Sequence, residues 1–214
     1  VAGGSNYRIN SMMGNSGGIT TKNSALIENC IITSGKQVTA SKLAGGIASE
    51  NRGTIKNCYV MAENDLAATG ISWASRFATS STSSAYIQGK NNVGGITGDN
   101  YGTIEDCCVH GATVKLTSGT TANTNVGGIV GHNESGATLS KVKVSGGSVE
   151  SSIDNANIGG LCGFNESTID GNNQIAVEGT VLTTSNLSNM GGAVGVNSDT
   201  VKNLTIKANI TGAK

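Results

Sequence analysis

Glu50, Asp99 and His132 each stand immediately before an asparagine, and Arg52 and Tyr101 immediately follow two of those asparagines. Carboxylates, an imidazole, a guanidinium and a phenol are the side chains of general acid–base work. Two carboxylates held within about 6 Å of one another push one pKa upward, as proton transfer requires. The set has that meaning only if these positions stack into one groove. On an open surface the same residues are a solvated corner with opposite charges alternating, as Glu28, Lys56 and Glu105 alternate in another repeated position.

Other reactive groups carry less. Cys30, Cys58 and Cys107 share one repeated position, with no C-x-x-C spacing and no histidine beside them. That pattern predicts buried thiols acting as small hydrophobes. Stacking would bring their Cα atoms into disulfide range, yet parallel side-chain vectors oppose the required dihedral. Cys108 should face the other way, and the odd count of five leaves at least one thiol unpaired within the chain. Gly14-Asn15-Ser16-Gly17-Gly18 is similar to the nucleophile segment of chymotrypsin-like proteases, but Asn15 replaces the acid and both histidines, His110 and His132, follow the serine. Asp99 and Asp106 lack the spacing of a calcium loop. Five N-x-[ST] sequons, at Asn133, Asn165, Asn186, Asn203 and Asn209, read as composition. No metal and no cofactor is implied.

The elements that would position such groups are repeats. Gly-Gly pairs begin at Gly17, Gly45, Gly94, Gly127, Gly159 and Gly191. Five residues beyond each second glycine comes Asn23, Asn51, Asn100, Asn133, Asn165 or Asn197. Further columns hold Ile27, Ile55, Ile104, Leu139, Ile169 and Val201, then Cys30, Cys58, Cys107, Val142 and Leu204, then Ile32, Val60, Val109, Val144 and Ile206. The fifth copy is distorted, with Ile175 and Val177 as the nearest equivalents. In register, the residues before the asparagines form one row, Lys22, Glu50, Asp99, His132, Phe164 and Val196. Those after form another, Ser24, Arg52, Tyr101, Glu134, Glu166 and Ser198.

Composition points the same way. Glycine supplies 32 of 214 residues, proline none, aromatics 3% and charged residues 13%, with 14 basic against 14 acidic side chains. A neutral chain lacks the basic field of a nucleic-acid binder, and no apolar run approaches the ~18 residues of a membrane span. The start at Val1 leads to the expectation of a mature product or a piece of a larger protein. Alternation such as Val142-Lys143-Val144 is strand periodicity. One ~32-residue unit cannot bury its own apolar face, so units must stack. The expectation is an all-β parallel β-helix, a β-solenoid of about six coils, with right-handed winding favoured by crossover chirality. An antiparallel roll or propeller-like repeat is the second architecture. The glycine pairs would permit sharp bends or close packing, and each asparagine would sit at a corner and bond backbone and its stacked copies.

The segments GGIASENRGTIKNCYV, GGITGDNYGTIEDCCV and GGIVGHNESGATLSKVKV resemble the GLUG motif, a short repeat of bacterial secreted and surface proteins that include some IgA-specific metallopeptidases and large adhesins. The resemblance runs from about Gly17 to Ile206. It implies a secreted or cell-surface bacterial repeat protein. No HExxH is present, so the peptidase chemistry of some such proteins is not expected in this segment.

The expected organisation is an N-terminal partial coil or cap at 1–16, a solenoid over 17–206 and a tail at 207–214, with an inserted loop at 61–92. That loop carries Trp73, Arg76, Phe77 and Tyr86, and insertions in solenoids map to one, often binding, face. Exposed Trp, Tyr and Arg are common anchors; the alternative is a satellite cluster on the solenoid flank. The reading is a non-catalytic scaffold, adhesive or ligand-presenting through that loop, with a host glycan or host protein as partner and flanking domains of a larger parent. The rivals are a polysaccharide lyase or hydrolase using the Glu50, Arg52, Asp99, Tyr101 and His132 groove, and a pure spacer.

Overall fold

The computed structural model describes residues 8–12, 14–33, 37–61, 84–117, 124–184 and 187–212. Every strand pair among them is parallel, which selects the solenoid over the antiparallel roll. Six short strands that carry the glycine pairs form one sheet, from Ser16–Gly17 to Asn189–Gly191. Six that carry the asparagines form a second, from Thr20–Asn23 to Val194–Asn197. A 13-stranded sheet and a two-stranded one, Ile169–Asp170 with Val201–Lys202, hold the remaining strands. Six rungs stacked in this way span about five turns of the chain.

The repeated columns are the register. Gly45, Gly94, Gly127 and Gly159 pair in succession, as do Asn51, Asn100, Asn133 and Asn165. The aliphatic residue after each glycine pair points inward: Ile47, Ile96, Ile129 and Leu161 are fully buried. Ile55, Ile104, Leu139 and Ile169 form the next inward ladder, then Cys58, Cys107, Val142 and Ile175, then Val60, Val109, Val144 and Val177. Each fully buried aliphatic side chain contributes about 1.5–3 kcal/mol through area removed from water. The core is a stack of like residues, so it extends as far as the rungs do. Toward the ends it opens: Ile19 and Leu26 in the first coil and Ile210 in the last are exposed.

The inward positions Ile104 and Cys107 are three residues apart, a spacing that alternation alone would place on opposite faces. One left-handed residue between them restores the direction. Asn29, Asn57, Asp106, Lys141, Gln174 and Asn203 all have φ between 50° and 60°, one per coil, immediately before the cysteine column. In the fifth coil a 3-10 turn at Gly171–Asn173 adds residues ahead of this corner, and Gln174 then takes the left-handed place before Ile175. The distorted copy is therefore a local insertion with the register recovered behind it. Gly111, Gly146 and Gly179 form a second left-handed column that turns the chain into its next strand.

The glycine pairs act by close approach. A Cβ at Gly46 would stand 2.1 Å from the Gly95 carbonyl oxygen one rung on, and one at Gly95 the same distance from that of Gly128. A Cβ at Gly45 would stand 1.8 Å from the Ala48 carbonyl oxygen of its own rung. Backbone occupies the space that any side chain would need.

The inserted segment interrupts one corner only. Tyr59–Met61 pairs with the rungs on both sides, and the regular rung resumes at Tyr86–Gly89, again paired on both sides. These two paired strands are separated by 24 residues of sequence, where their counterparts in the next coil are separated only by Gly111 and Ala112.

Candidate functional site

The row Lys22, Glu50, Asp99, His132, Phe164, Val196 lies in register along the asparagine sheet. Behind it runs the asparagine ladder. Asn23 Nδ2 donates to Asn51 Oδ1 at 2.8 Å, and the same bond repeats from Asn51 to Asn100, Asn100 to Asn133, Asn133 to Asn165 and Asn165 to Asn197 at 2.8–3.0 Å. The same amides also satisfy backbone at the corners: Asn100 Oδ1 accepts from the Gly102 N–H of its own turn, and Asn51 Nδ2 donates to the Thr103 carbonyl one rung on. Buried amide groups paid for in desolvation are thereby nearly all satisfied, which is what lets Asn51, Asn100, Asn133 and Asn165 sit at zero exposure.

A second ladder runs on the glycine sheet in the opposite sense. Asn189 donates to Asn157, Asn157 to Asn125 and Asn125 to Asn92, at 2.7–2.9 Å. At its end the column is broken by Leu43, the residue in register with Asn92 one rung earlier. Asn92 Nδ2 turns instead to the Asp99 carboxylate at 2.5 Å. The repeat columns do not announce this contact, because it crosses from one sheet to the other within a coil.

The electrostatics of the face follow from burial and from the rows. Asp99 is 8% exposed. Burial pushes its carboxyl up to about 6, against the Asn92 hydrogen bond and the His132 ring, which favour the charged form. Glu50 is also partly buried, but Arg52 and Lys22 outweigh that effect and hold its carboxyl below the usual range. Glu50 pairs with Arg52 and, at 3.5 Å, with Lys22. The Arg52 guanidinium lies 4.1 Å from the centre of the Tyr101 ring. Burial, with a hydrogen bond to Glu134 second, pushes Tyr101 up to about 12. His132 stacks on Phe164, with ring centres 4.9 Å apart. Its Nδ1 is 3.2 Å from Glu134 and its Nε2 is 3.3 Å from Glu166.

The structure thus brings Glu50, Arg52, Asp99, Tyr101 and His132 onto one face and adds Glu134, Phe164 and Glu166 to it. The second row of the repeat contained both glutamates; what it lacked was the side-chain direction that closes them on His132. Trp73, Arg76 and Phe77 lie outside the described residues. Tyr86 lies at the start of a regular strand, half-buried, between Gln37 and Thr113. All five cysteines are free thiols: Cys58, Cys107 and Cys162 are buried, Cys30 and Cys108 half-buried. Burial pushes Cys162 up to about 12 and Cys108 up to about 11.

Residues 122–150, the fourth coil, match the family model described as the GLUG motif. A comparison with curated proteins found no match. Among solved structures the chain is similar to one described as a "putative immunoglobulin A1 protease" from Bacteroides ovatus, with a TM-score of 0.57, 18% sequence identity and 95% of this chain covered. The chain spans 62% of the length of that structure, and the likeness is one of fold. The chain is a GLUG-bearing parallel β-solenoid. No helix among the described residues is long and apolar enough to cross a membrane.

Proposed function

We propose that this chain is a non-catalytic repeat scaffold of a bacterial secreted or surface protein, which presents the segment between Met61 and Tyr86 to a host glycan or host protein. One observation carries the reading. Twenty-four residues enter a single corner while the strands before and after it keep their pairing with both neighbouring rungs. A frame built from like-on-like stacking tolerates such an excursion, and loops held on a rigid frame are where binding residues concentrate. Trp73, Arg76 and Phe77 are the anchors of this reading, with Tyr86 at its base. The GLUG match and the protease-described fold neighbour are consistent with an extracellular setting.

The test is a binding screen of the intact chain against host glycans and secreted host proteins, beside a variant with residues 62–83 replaced by a short Gly-Ser link. Binding by the intact chain that vanishes in the variant supports the reading. Binding retained by the variant, or after Trp73→Ala with Phe77→Ala, overturns it. No binding by either folded protein favours a spacer.

A second reading rests on Asp99. A buried carboxyl pushed up to about 6, in register with Glu50, has the protonation behaviour of a general acid. Turnover of a polysaccharide by the intact chain, lost in Asp99→Asn, would make the face an active site.

A further inference from the structure

We propose that His132, Glu134 and Glu166 form a binding site for one divalent cation of the zinc type, which clamps the fourth rung to the fifth. Glu134 and Glu166 follow paired asparagines, Asn133 and Asn165, so two carboxylates occupy the same column one rung apart. Like charges facing each other across neighbouring strands are destabilising. Both nevertheless converge on one imidazole, from opposite nitrogens, at 3.2 and 3.3 Å. A neutral imidazole has one N–H, so one of these contacts would set a nitrogen lone pair against a carboxylate oxygen. Both contacts are satisfied only with one further proton in the cluster or with a metal ion in its place.

Three features favour the ion. Ligand atoms about 2.0–2.1 Å from a tetrahedral zinc lie about 3.3 Å apart, the observed separation of His132 Nε2 and Glu166. With the ion there, Nδ1–H donates to Glu134, the carboxylate support that fixes ring and tautomer at metal-binding histidines. The one donor atom offered by each of the three residues lies within 4.8 Å of the other two. The site is held as well as composed. Phe164 stacks on the ring, and the three side chains are only 17–37% exposed. One imidazole with two carboxylates suits zinc and its neighbours better than calcium.

The experiment uses the full chain. Zinc chloride is titrated by calorimetry, cobalt(II) by visible absorption, and the thermal midpoint is followed with and without zinc. The expected result is one ion per chain, a raised midpoint, and cobalt bands without the sulfur-to-metal charge transfer that cysteine ligation would give. Glu166→Gln and His132→Asn each weaken uptake at least tenfold, and Glu134→Gln weakens it by about 10–100-fold. Glu166 is the most exposed of the three, so Glu166→Gln leaves the circular dichroism spectrum unchanged and separates ligand loss from unfolding. The proposal is overturned if the intact chain takes up neither metal. It is equally overturned by uptake that all three variants retain, or by a thiolate signature.

Discussion

Asn92 donates its side-chain amide to the Asp99 carboxylate from one sheet to the other within a coil, and three further amides, Asn125, Asn157 and Asn189, donate in file behind it. Aligned amide bonds polarise one another in a low-dielectric setting, so the file points its positive end at a buried carboxylate. The other ladder, from Asn23 to Asn197, points the opposite way. Two opposed rows of side-chain dipoles leave the column with little net dipole.

The Asp99 carboxyl sets a pH dependence. Its folded value, about 6, lies above the ordinary carboxylate value, so the folded chain holds a proton that the unfolded chain has released. Its stabilising contribution is complete below about pH 4 and lost as pH rises through about 6. A shift of about two units corresponds to about 2–3 kcal/mol. Urea unfolding from pH 4 to 7.5 should show Asp99→Asn gaining on the parent as pH rises, with the difference level above about pH 7. A difference that does not change with pH would remove Asp99 from this role.

Interruption of the asparagine ladder should cost most at its middle. Asn100→Ala deletes the acceptor of Asn51 and the donor to Asn133, both without exposure. A loss of about 2–4 kcal/mol is expected in denaturant unfolding, from buried polar groups left unpaired. Asn197→Ala, at the exposed end, should cost less than about 1 kcal/mol.

Glycine-pair chemistry is testable by position. Gly95→Ala would drive a methyl group to 2.1 Å from the Gly128 carbonyl oxygen, which belongs to the sheet backbone. It should cost more than about 4 kcal/mol and be seen as insoluble or molten protein. Gly192→Ala meets only side chains, Ile206 Cγ2 at 3.0 Å and Ile210 Cδ1 at 3.7 Å, and should fold with a loss of about 1 kcal/mol or less.

Lys141 occupies a left-handed corner, φ 50°, that asparagine or aspartate fills at four of the other five positions. A lysine there is strained by about 1 kcal/mol. Its ion pairs with Glu105 and Asp106, both at 3.7 Å and partly exposed, return little of that. Lys141→Gly should raise stability by about 0.5–1 kcal/mol, read as a thermal midpoint higher by about 1–4 °C. Lys141→Val should lower it by a similar amount or more.

The thiols offer a check of the core. An aromatic disulfide reagent should modify at most Cys30 and Cys108 in the native chain and all five cysteines after denaturation. Rapid native modification of Cys58 or Cys107 would mean that the inward column opens.

Column identity was enough to place Asn100 on Asn133 and Asp99 on His132. A solenoid repeats by translation along one axis, so residues at the same place in successive units must be neighbours. The inward ladder of Ile55, Ile104 and Leu139 and the stack of cysteines follow from the same rule. The left-handed column through Asn57, Asp106 and Lys141 was also present in the chain, but its meaning shows only in the odd spacing between Ile104 and Cys107. What lies across the axis was decided by the tertiary structure. Asn92 meets Asp99 because corner geometry fixes the cross-section of each coil; Glu166, one rung along the stack from His132, reaches it because a side-chain rotamer fixes where its carboxylate ends. No periodicity encodes those two things. Translation along the stack is written in the sequence as a spacing; distance across it exists only once the coil has closed.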